Sequence, residues 1–530
     1  SSWDRGEDVP EARLEVRLAP DTGAVGDVTL DRYLGNGEPT IRSEGLDCPV
    51  APVSASCPGG DDTGSQGGYT LGDMGRIWSG GPEVHADGEI WAQTLWDLRA
   101  AVGVGDARFL VTEGMRLSPR NPSFLDMRNA ILQANQVGVL GGRTDHEATI
   151  WAVFAARGMG FFAATEDADD TTPIQSFALP PDPEDGTGSL AGVVTDSDTG
   201  KPVTGVKVEF AGLGFSDTTD ALGQYSILDV PVGTYAKVVA SKVGYDRDVG
   251  SNVPVVAGTP GTLDLGVRRD WAAYDGGGRI HAFTGPNFAA YGCGPAHAID
   301  QSTATGWSTV TPSLLPGTRS ITVKLPAYVD VSSFAVDPGA VCGDPDSASA
   351  QGYKIETSKT AASGSWTVVK TGAFTLGQAH QLNDVAITPR KAVRFIRFTI
   401  TSNHGHADYM DLAELVVYGA ATPTCMGRPA TKVGTDAANT INGGSGADVI
   451  VGLGGADKID GRGGKDVICG GPGNDRLTGG TGLEKLDGGD GADLLYVRDS
   501  AKDPIIKGGL GADRARKDAS DKTSGVERFF

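Results

Sequence analysis

Long apolar runs, cysteine and histidine are all scarce in this chain of 530 residues. No apolar run approaches the roughly 18 residues that a membrane-spanning helix needs, so we expect no membrane span. The first residues, SSWDRGEDVP, contain neither Met nor the apolar core of a signal peptide, and we therefore expect a trimmed N-terminus. Basic residues are also few, since 45 Lys and Arg oppose 67 Asp and Glu and leave a net charge of −22. Such a charge repels nucleic acid and anionic membranes and attracts cations, of which Ca²⁺ is the first candidate.

The six cysteines fall into three pairs by region, although other connectivities are possible. The regional pairs are Cys48 with Cys57, Cys293 with Cys342, and Cys425 with Cys469. Grouping of this kind favours disulfides in a secreted, extracellular protein. No pair has CxxC spacing, which argues against a zinc knuckle.

Glycine and proline are abundant, with 78 and 29 residues, while only 21% of the chain is charged. This composition predicts a turn-rich, β-rich chain of three or four domains. We divide it into a helical region (1–165), an acidic, Pro-rich linker (166–188), a β-sandwich (189–268), a jelly roll (269–420) and a repeat region (432–530). The predicted fold class is therefore multidomain, with a helical subdomain followed by a β-sandwich, a β jelly roll and a parallel β-roll.

Residues 1–165 carry the only strong helical patterns. In GPEVHADGEIWAQTLWDLR, apolar residues recur at helical spacing, and His85 stands just before them. Ser123 with Asp126, and Thr144 with Glu147, have capping-box spacing and predict two further helices. The apolar stripe of the first helix comprises Ile90, Trp91, Thr94, Leu95, Leu98 and Ala101.

Short runs of alternating apolar and polar residues, such as GVKVEFAG and GQYSILDV, predict the β-sandwich at 189–268. The order GVVTDSDTGKPVTGVKVEF, followed by GQYSILDVPVGTYAKVVAS, resembles the carboxypeptidase regulatory-like family. The resemblance covers the whole segment. It implies a spacer or adhesion role, because no residues suited to catalysis stand in it.

The stretches AIDQSTATGW and AELVVYG lie near the two ends of the next region. They resemble the discoidin, or coagulation-factor type C, family, whose fold is a galactose-binding-like jelly roll. The resemblance implies binding of cell-surface or matrix glycans and a structural Ca²⁺ where the two ends meet, with Asp300 and Glu414 as oxygen ligands. The alternative is that both residues are ordinary loop and strand-edge carboxylates.

A second group in the same region could hold a transition metal. It consists of His404 and His406, with Asp408 and Asp411 nearby. A solvated loop around Gly405 explains the same residues, and we favour that interpretation.

The strongest pattern is a nine-residue period that runs without a gap from Gly434 to Tyr496. The units are GTDAANTIN, GGSGADVIV, GLGGADKID, GRGGKDVIC, GGPGNDRLT, GGTGLEKLD and GGDGADLLY. Their eighth positions are all aliphatic, which predicts one inward side chain in each stacked turn. Their sixth positions are Asn439, Asp448, Asp457, Asp466, Asp475, Glu484 and Asp493, and an isolated unit, GGLGADRAR, adds Asp513.

Gly permits the tight turns, and the recurring carboxylate can close an oxygen cage around Ca²⁺ together with backbone carbonyls. This pattern is identified as the RTX, or haemolysin-type, calcium-binding repeat. Asp448, Asp457, Asp466, Asp475, Asp493 and Asp513 are the expected ligands. Asn439 and Glu484 depart from the pattern and predict incomplete occupancy at the first and sixth turns.

GRIWSGGPEVHADGEIWAQTLWDLR, followed by LVTEGMRLSPRNPSFLDMRNAIL, resembles the C-terminal half of the catalytic domain of the fungalysin family. These are secreted zinc metallopeptidases with a thermolysin-like fold that cleave protein substrates. The resemblance implies that His85 donates a hydrogen bond to the oxyanion of the tetrahedral intermediate, with Glu83 as its orienting partner. From the residues alone, we favour the interpretation that His85 caps or packs at a helix entrance.

The family's zinc site needs HExxH, and none of the seven histidines belongs to such a motif. The nearest sequence is HEATI, which begins at His146 and has Ile150 in place of the second histidine. We therefore expect Zn²⁺ only together with an upstream half that this sequence does not contain. Two hypotheses follow: an extracellular zinc metalloendopeptidase of which this chain is the C-terminal portion, or a catalytically inactive, calcium-dependent adhesion or carbohydrate-binding protein.

Overall fold

The computed structural model describes residues 48–50, 68–77 and 84–530, with side chains in the first helix from residue 87 onward. The chain forms two compact units that divide between Arg268 and Arg269, and each is described by itself. Among the described residues, no helix combines the length and apolarity needed to cross a membrane.

The first unit begins with four helices: α1 (Val84–Val102), α2 (Val104–Leu117), α3 (Phe124–Leu140) and α4 (Glu147–Ala156). Helix α2 was not predicted from the sequence. Its N-cap is Gly103 with φ of 82°, and Gly105 and Gly114 lie inside it, so its helix propensity is low. Packing of Ala107 and Leu110 into the helical core stabilises it instead.

Helix α1 begins earlier than predicted, so that His85 lies in its first turn and not before it. Ile90, Thr94 and Leu98 are fully buried, as their spacing predicts. Ala101 is exposed, and its neighbour Val102 packs against the helical core in its place.

One of the two predicted capping boxes is present. The Ser123 hydroxyl accepts a hydrogen bond from Asp126 N at 3.1 Å, and the Asp126 carboxylate accepts one from Ser123 N at 2.9 Å. The predicted box of Thr144 and Glu147 is wrong, since His146 is the N-cap of α4. Asp145 takes the first amide instead, accepting from Glu147 N at 3.0 Å.

A two-sheet sandwich follows. Its strands are β1 (Thr187–Asp196), β2 (Lys207–Phe210), β3 (Ser216–Thr218), β4 (Gln224–Pro231), β5 (Gly233–Ser241), β6 (Tyr245–Asp246), β7 (Asp248–Val255), β8 (Pro260–Thr262) and β9 (Leu265–Arg269). One sheet has the order β4-β1-β9-β6, with β8 also paired to β1, and the other has the order β3-β2-β5-β7. Trp151 and Phe161 from the helical region enter the core of the sandwich, which joins the two parts of this unit.

The segment 166–188 is only partly the solvated linker that its composition predicts. Lys237 of β5 lies 2.8 Å from Glu166 and 3.0 Å from Asp170. Ser176 accepts a backbone hydrogen bond from Gly160 and donates one to Gly158. The acidic residues therefore hold this segment against the sandwich, and the backbone of Ser176 holds it against the helical region.

The second unit begins with the predicted jelly roll. Its strands are β10 (Arg279–Phe283), β11 (Trp307–Val310), β12 (Arg319–Asp337), β13 (Gly352–Ser358), β14 (Thr367–Ala373), β15 (Asn383–Ile400), β16 (Tyr409–Leu412) and β17 (Glu414–Ala421). The main sheet has the order β10-β12-β15-β13-β14, with β17 paired to β12, while β11 and β16 pair separately. Trp307, Phe334 and Phe398 are fully buried in its core.

The rest of the unit is a parallel β-roll. Its entry is formed by β18 (Thr424–Cys425), β19 (Arg428–Pro429) and β20 (Lys432–Val433). The remaining strands are β21 (Thr440–Asn442), β22 (Val449–Val451), β23 (Lys458–Asp460), β24 (Gly463–Gly464), β25 (Val467–Pro472), β26 (Arg476–Thr478), β27 (Thr481–Gly482), β28 (Lys485–Asp490), β29 (Leu494–Tyr496), β30 (Ile505–Leu510), β31 (Arg514–Arg516), β32 (Thr523–Ser524) and β33 (Arg528–Phe529).

Two parallel sheets, β20-β22-β25-β28-β30-β32 and β21-β23-β26-β29-β31-β33, face each other across this roll. Ile441 pairs with Ile459 and Ile450 with Ile468, so one full turn contains two nine-residue repeats and not one. Successive repeats alternate between the sheets because each contributes one short strand. The aliphatic eighth positions meet in the interior, where Ile450, Ile459 and Ile468 are fully buried.

Two of the regional cysteine pairs are disulfides. Cys293 is bonded to Cys342 in the jelly roll, and Cys425 to Cys469 at the entry of the β-roll. Cys57 lies outside the described residues.

Candidate functional sites

The helix that carries His85 is held in place by polar contacts along its length. Gly75 N donates to the Asp87 carboxylate at 2.8 Å in the first turn. One turn further, Tyr69 N donates to Gln93 Oε1 at 2.8 Å. The side chain of His85 and the whole of Glu83 lie outside the described residues, so their proposed roles stay predictions.

Arg157, which follows α4, contacts the same side of this helix. Its fully buried guanidinium lies 2.7 Å from Asp97 Oδ2 and donates to Gln93 Oε1 at 2.7 Å. It also donates to the carbonyl oxygens of Tyr69 at 3.0 Å and Cys48 at 2.6 Å. Helix α1 is therefore a rigid element whose N-terminal turn has a defined direction.

The HEATI stretch does not form a zinc site. His146 Nε2 lies 3.0 Å from Asp106 Oδ2, and Ile150 is buried in the helical core. Across residues 48–50, 68–77 and 84–530, no three His, Cys, Asp or Glu side chains are grouped to hold a metal. The residues that the structure describes thus do not fit the zinc that a fungalysin-type peptidase requires.

In the jelly roll, Asp300 and Glu414 are brought together at the meeting point of its two ends. Gln301 N donates to Glu414 Oε2 at 3.0 Å, and Thr305 Oγ1 donates to Asp300 at 2.8 Å. Burial and the charges of Asp270 and Asp300 raise the pKa of Glu414 well above its usual value. Asp270, which is fully buried, is a third carboxylate at this place that the sequence did not reveal.

The histidine group of the jelly roll does not converge on one point. His406 Nδ1 accepts backbone hydrogen bonds from Asp408 at 3.3 Å and Tyr409 at 3.0 Å. Asp411 is fully buried and accepts from Val341 N at 3.2 Å. These contacts favour the structural interpretation of the loop.

The β-roll carries a ladder of carboxylates on each flank. The sixth-position amides donate to the carboxylate one full turn further along the chain, except at Asp466, because the Glu484 carboxylate accepts no hydrogen bond among the described residues. Asp457 N donates to Asp475 at 2.7 Å, and Asp475 N donates to Asp493 at 2.8 Å. The ladder continues beyond the sequence repeat, because Asp493 N donates to Asp513 at 2.8 Å.

The second oxygen of each inner carboxylate is buried and has no hydrogen-bond partner within the described part of the chain. This holds for Oδ2 of Asp457, Asp466, Asp475, Asp493 and Asp513. Buried carboxylate oxygens without a hydrogen-bond donor are suitable ligands for a hard cation. These residues therefore fit the binding of Ca²⁺ by the repeats. Asp448 differs, since its carboxylate accepts from Gly444 N at 2.6 Å at the first full turn.

Tight backbone approach explains the glycines of these loops. Gly473 has φ of 142°, and a Cβ at this position would lie 1.8 Å from the carbonyl oxygen of Gly455. Glycine is therefore required where one turn stacks on the next.

The carboxylates also make the stability of the metal-free roll depend on pH. Burial raises the pKa of Asp475 and Asp493 to about 6, above the value of an unfolded chain. The folded roll thus binds more protons than the unfolded chain, and its stability falls as the pH rises through about 4 to 6. In chelator, we expect circular dichroism to show more β structure at about pH 5 than at about pH 8.

Saturating calcium reverses this dependence, because protons compete with the metal for the same oxygens. Circular dichroism of the calcium-loaded chain over the same pH range is the control. Equal slopes with and without calcium would contradict the prediction.

Comparison with known proteins assigns each region. Residues 73–163 match the fungalysin metallopeptidase (M36) family. Residues 189–268 match the carboxypeptidase regulatory-like domain, 283–415 the F5/8 type C domain, and 433–468 with 470–499 the RTX calcium-binding nonapeptide repeat. The predicted resemblances and the multidomain fold class are thereby confirmed.

The fungalysin-like region has fungal relatives. Extracellular metalloproteinase 3 of Trichophyton tonsurans is 36% identical over 120 residues, which are 19% of this chain and 18% of that protein. Extracellular metalloproteinase mep of Aspergillus flavus is 35% identical over 109 residues, 16% of each chain. The match therefore spans less than a fifth of the length of these curated relatives.

Solved structures similar to this chain include CBM32-3 from a family 31 glycoside hydrolase of Clostridium perfringens. It is 24% identical, with a TM-score of 0.23, and the match covers 27% of this chain and 91% of that one. The family 32 CBM from C. perfringens NanJ, in complex with galactose, is 22% identical with a TM-score of 0.21, at 27% and 91% coverage.

Proposed function

We propose that this chain serves an extracellular zinc metalloendopeptidase that acts on protein substrates. The fungalysin-like region contributes the helix bearing His85, and the following modules bind calcium and glycans outside the cell. The match of residues 73–163 carries the proposal. The contact of Gly75 with Asp87 in the first turn of α1, and the buried contacts of Gln93 further along, support it, since they hold this helix in place. An oxyanion donor needs this kind of preorganised position.

Zinc chemistry has to come from residues other than those described, because the histidines and carboxylates present do not fit the metal. The second candidate function is a catalytically inactive, calcium-dependent adhesion protein. The absence of HExxH from the 530 residues favours it for this chain acting alone.

The chain as given should neither bind zinc stoichiometrically nor cleave casein, because the ligands and the general base are absent. Metal analysis after dialysis and a casein assay test this expectation. A form of the chain extended by a segment that carries HExxH is assayed in parallel. Casein cleavage there that a zinc chelator abolishes supports the peptidase, whereas zinc-dependent cleavage by the chain alone would show that a site has been overlooked.

In a form with proteolytic activity, His85→Phe should lower kcat about a hundredfold or more with little loss of zinc, because an oxyanion donor acts on the transition state. Zinc content is measured beside kcat and KM. An unchanged kcat would leave His85 as a capping residue of α1.

Glycan binding by the F5/8 type C region fits an aromatic loop surface made of Phe288, Tyr291, His406 and Tyr409. Tyr291 is 81% exposed. The ring of Tyr409 stacks with His406 at 5.6 Å and contacts the ring of Phe288 at 6.4 Å between centroids. Exposed aromatic faces that lie beside polar loop groups suit the apolar and polar faces of a sugar.

We expect weak, specific signals on a glycan array in calcium, lost in Tyr291→Ala. The exposed ring supplies contact area that no neighbour replaces. Tyr274→Ala is the matched control, because Tyr274 is 41% exposed in the same region and its ring faces Arg279 at 4.3 Å. Signals that survive Tyr291→Ala would place the glycan elsewhere.

A further inference from the structure

The nine-residue period breaks near the end of the β-roll. Leu486 pairs with Ile506, and Leu495 pairs with Ala515, so this turn is two residues longer than the turns before it. The additional residues lie in the loop 497–504, which contains Asp499 and Asp503. The match to the RTX repeat ends at residue 499.

Glu484 faces this loop and replaces the aspartate of the repeat. Its side chain is fully buried, and neither Oε1 nor Oε2 has a hydrogen-bond partner among the described residues. Glu484 N donates to Asp503 Oδ1 at 2.8 Å, while Asp503 Oδ2 is buried and also has no partner there. Asp499 lies beside them and accepts from Gly482 N at 2.8 Å.

The extra methylene of Glu484 moves its carboxylate away from the position that aspartate takes in the repeat. A Cβ at Gly470 or Gly488 would lie 2.2 Å from Oδ2 of Asp475 or Asp493, whereas a Cβ at Gly479 would lie 3.1 Å from the Cγ of Glu484. The glutamate carboxylate thus reaches further into its loop.

There it lies close to a backbone carbonyl oxygen of the preceding turn. A Cβ at Gly482 would lie 2.5 Å from Glu484 Oε1 and 1.7 Å from the carbonyl oxygen of Gly464, so these two oxygens are near neighbours. A single ion with metal–oxygen distances of about 2.3–2.6 Å can contact two oxygens at such a separation.

We propose that Glu484 and Asp503 together hold a divalent cation, Ca²⁺, at a site outside the consensus of the repeat. Two buried carboxylates with inward oxygens that lack donors are strongly destabilising without a compensating charge. The donors are all oxygen, and the loop is irregular, which suits the flexible coordination of Ca²⁺ better than the strict octahedron of Mg²⁺. The ion links the loop 497–504 to the preceding turn. The turns therefore keep stacking where the nine-residue period breaks.

The test is the number of calcium ions bound by the full chain, measured by equilibrium dialysis at saturating calcium. Glu484→Gln and Asp503→Asn should each bind one ion fewer than the wild type, and the double variant should also lose only one. Asp490→Asn is the matched control: the residue is exposed on the same roll, and the change removes the same charge without altering the count.

Hydrogen exchange in calcium is followed in the same samples. Faster exchange in residues 497–530 of both variants, with unchanged exchange in 440–478, supports the site even where one variant partly unfolds. An unchanged ion count together with unchanged exchange in both variants overturns it. A wild-type chain that binds no calcium at all would instead contradict calcium binding by the repeats. Failure of the proposed site and failure of calcium binding by the repeats are therefore distinguishable.

Discussion

Removal of calcium should unfold the β-roll, residues 432–530, and leave the jelly roll folded. Each nine-residue unit places one aliphatic side chain in the interior, and this burial alone does not offset the entropy of ordering the unit. The clustered carboxylates oppose folding further, since the inner oxygens of Asp457, Asp475 and Asp493 lack donors. Calcium supplies the missing stabilisation, and its extracellular concentration lies in the range where such modules bind.

Hydrogen exchange of the full chain after exhaustive chelation, followed by a calcium titration, measures this effect. Peptides from 440–516 should exchange fully in chelator and become protected with calcium. Peptides from strand β12 are the internal control, because that strand lies in the separate core of the jelly roll. Protection of 440–516 in chelator, unchanged by calcium, would show a metal-independent solenoid.

Replacement of Arg128 by Met should destabilise the first unit by at least about 3 kcal/mol, because each buried carbonyl left without a donor costs about 1–3 kcal/mol. The guanidinium is fully buried, and burial lowers its pKa to about 9. It donates to the carbonyl oxygens of Met159 at 2.9 Å and Gly160 at 2.8 Å. It also donates to Gly212, in the loop after β2, and so connects the helical region to the sandwich.

Urea unfolding followed by hydrogen exchange in residues 107–164 gives the change in the free energy of unfolding. Arg116→Met is the matched control, since the Arg116 side chain is 75% exposed. Within the described part of the chain, its only ion pair is with Glu113, at 3.6 Å. We expect less than about 0.5 kcal/mol for this control. Equal effects of the two substitutions would refute the role of Arg128.

The periodic parts of the sequence predicted most of the fold. Alternating apolar residues locate the sandwich, and the aliphatic eighth positions locate the interior of the β-roll. The sequence did not reveal that two repeats make one turn, because a nine-residue period is compatible with either stacking. Pairing of Ile441 with Ile459 decides between them.

The site residues were less accessible to sequence reasoning. Asp503 was missed because it lies outside the nine-residue period, and only the chain reversal after Tyr496 brings it to Glu484. Arg128 and Arg157 were not singled out, because no local pattern marks a charged residue as buried, yet both are fully buried. Helix α2 was missed because packing, and not local propensity, stabilises it.

The disulfide between Cys425 and Cys469 has a consequence for the order in which the β-roll forms. It joins the entry strand β18 to β25, so the first turns are held together before any ion binds. Each later turn contacts only its neighbours, and such quasi-one-dimensional structures grow by nucleation and propagation. The oxidised end is then the starting point of growth, and the roll closes turn by turn toward Phe530. An oxidising compartment allows this disulfide to form, and it thereby also determines the end from which the β-roll assembles.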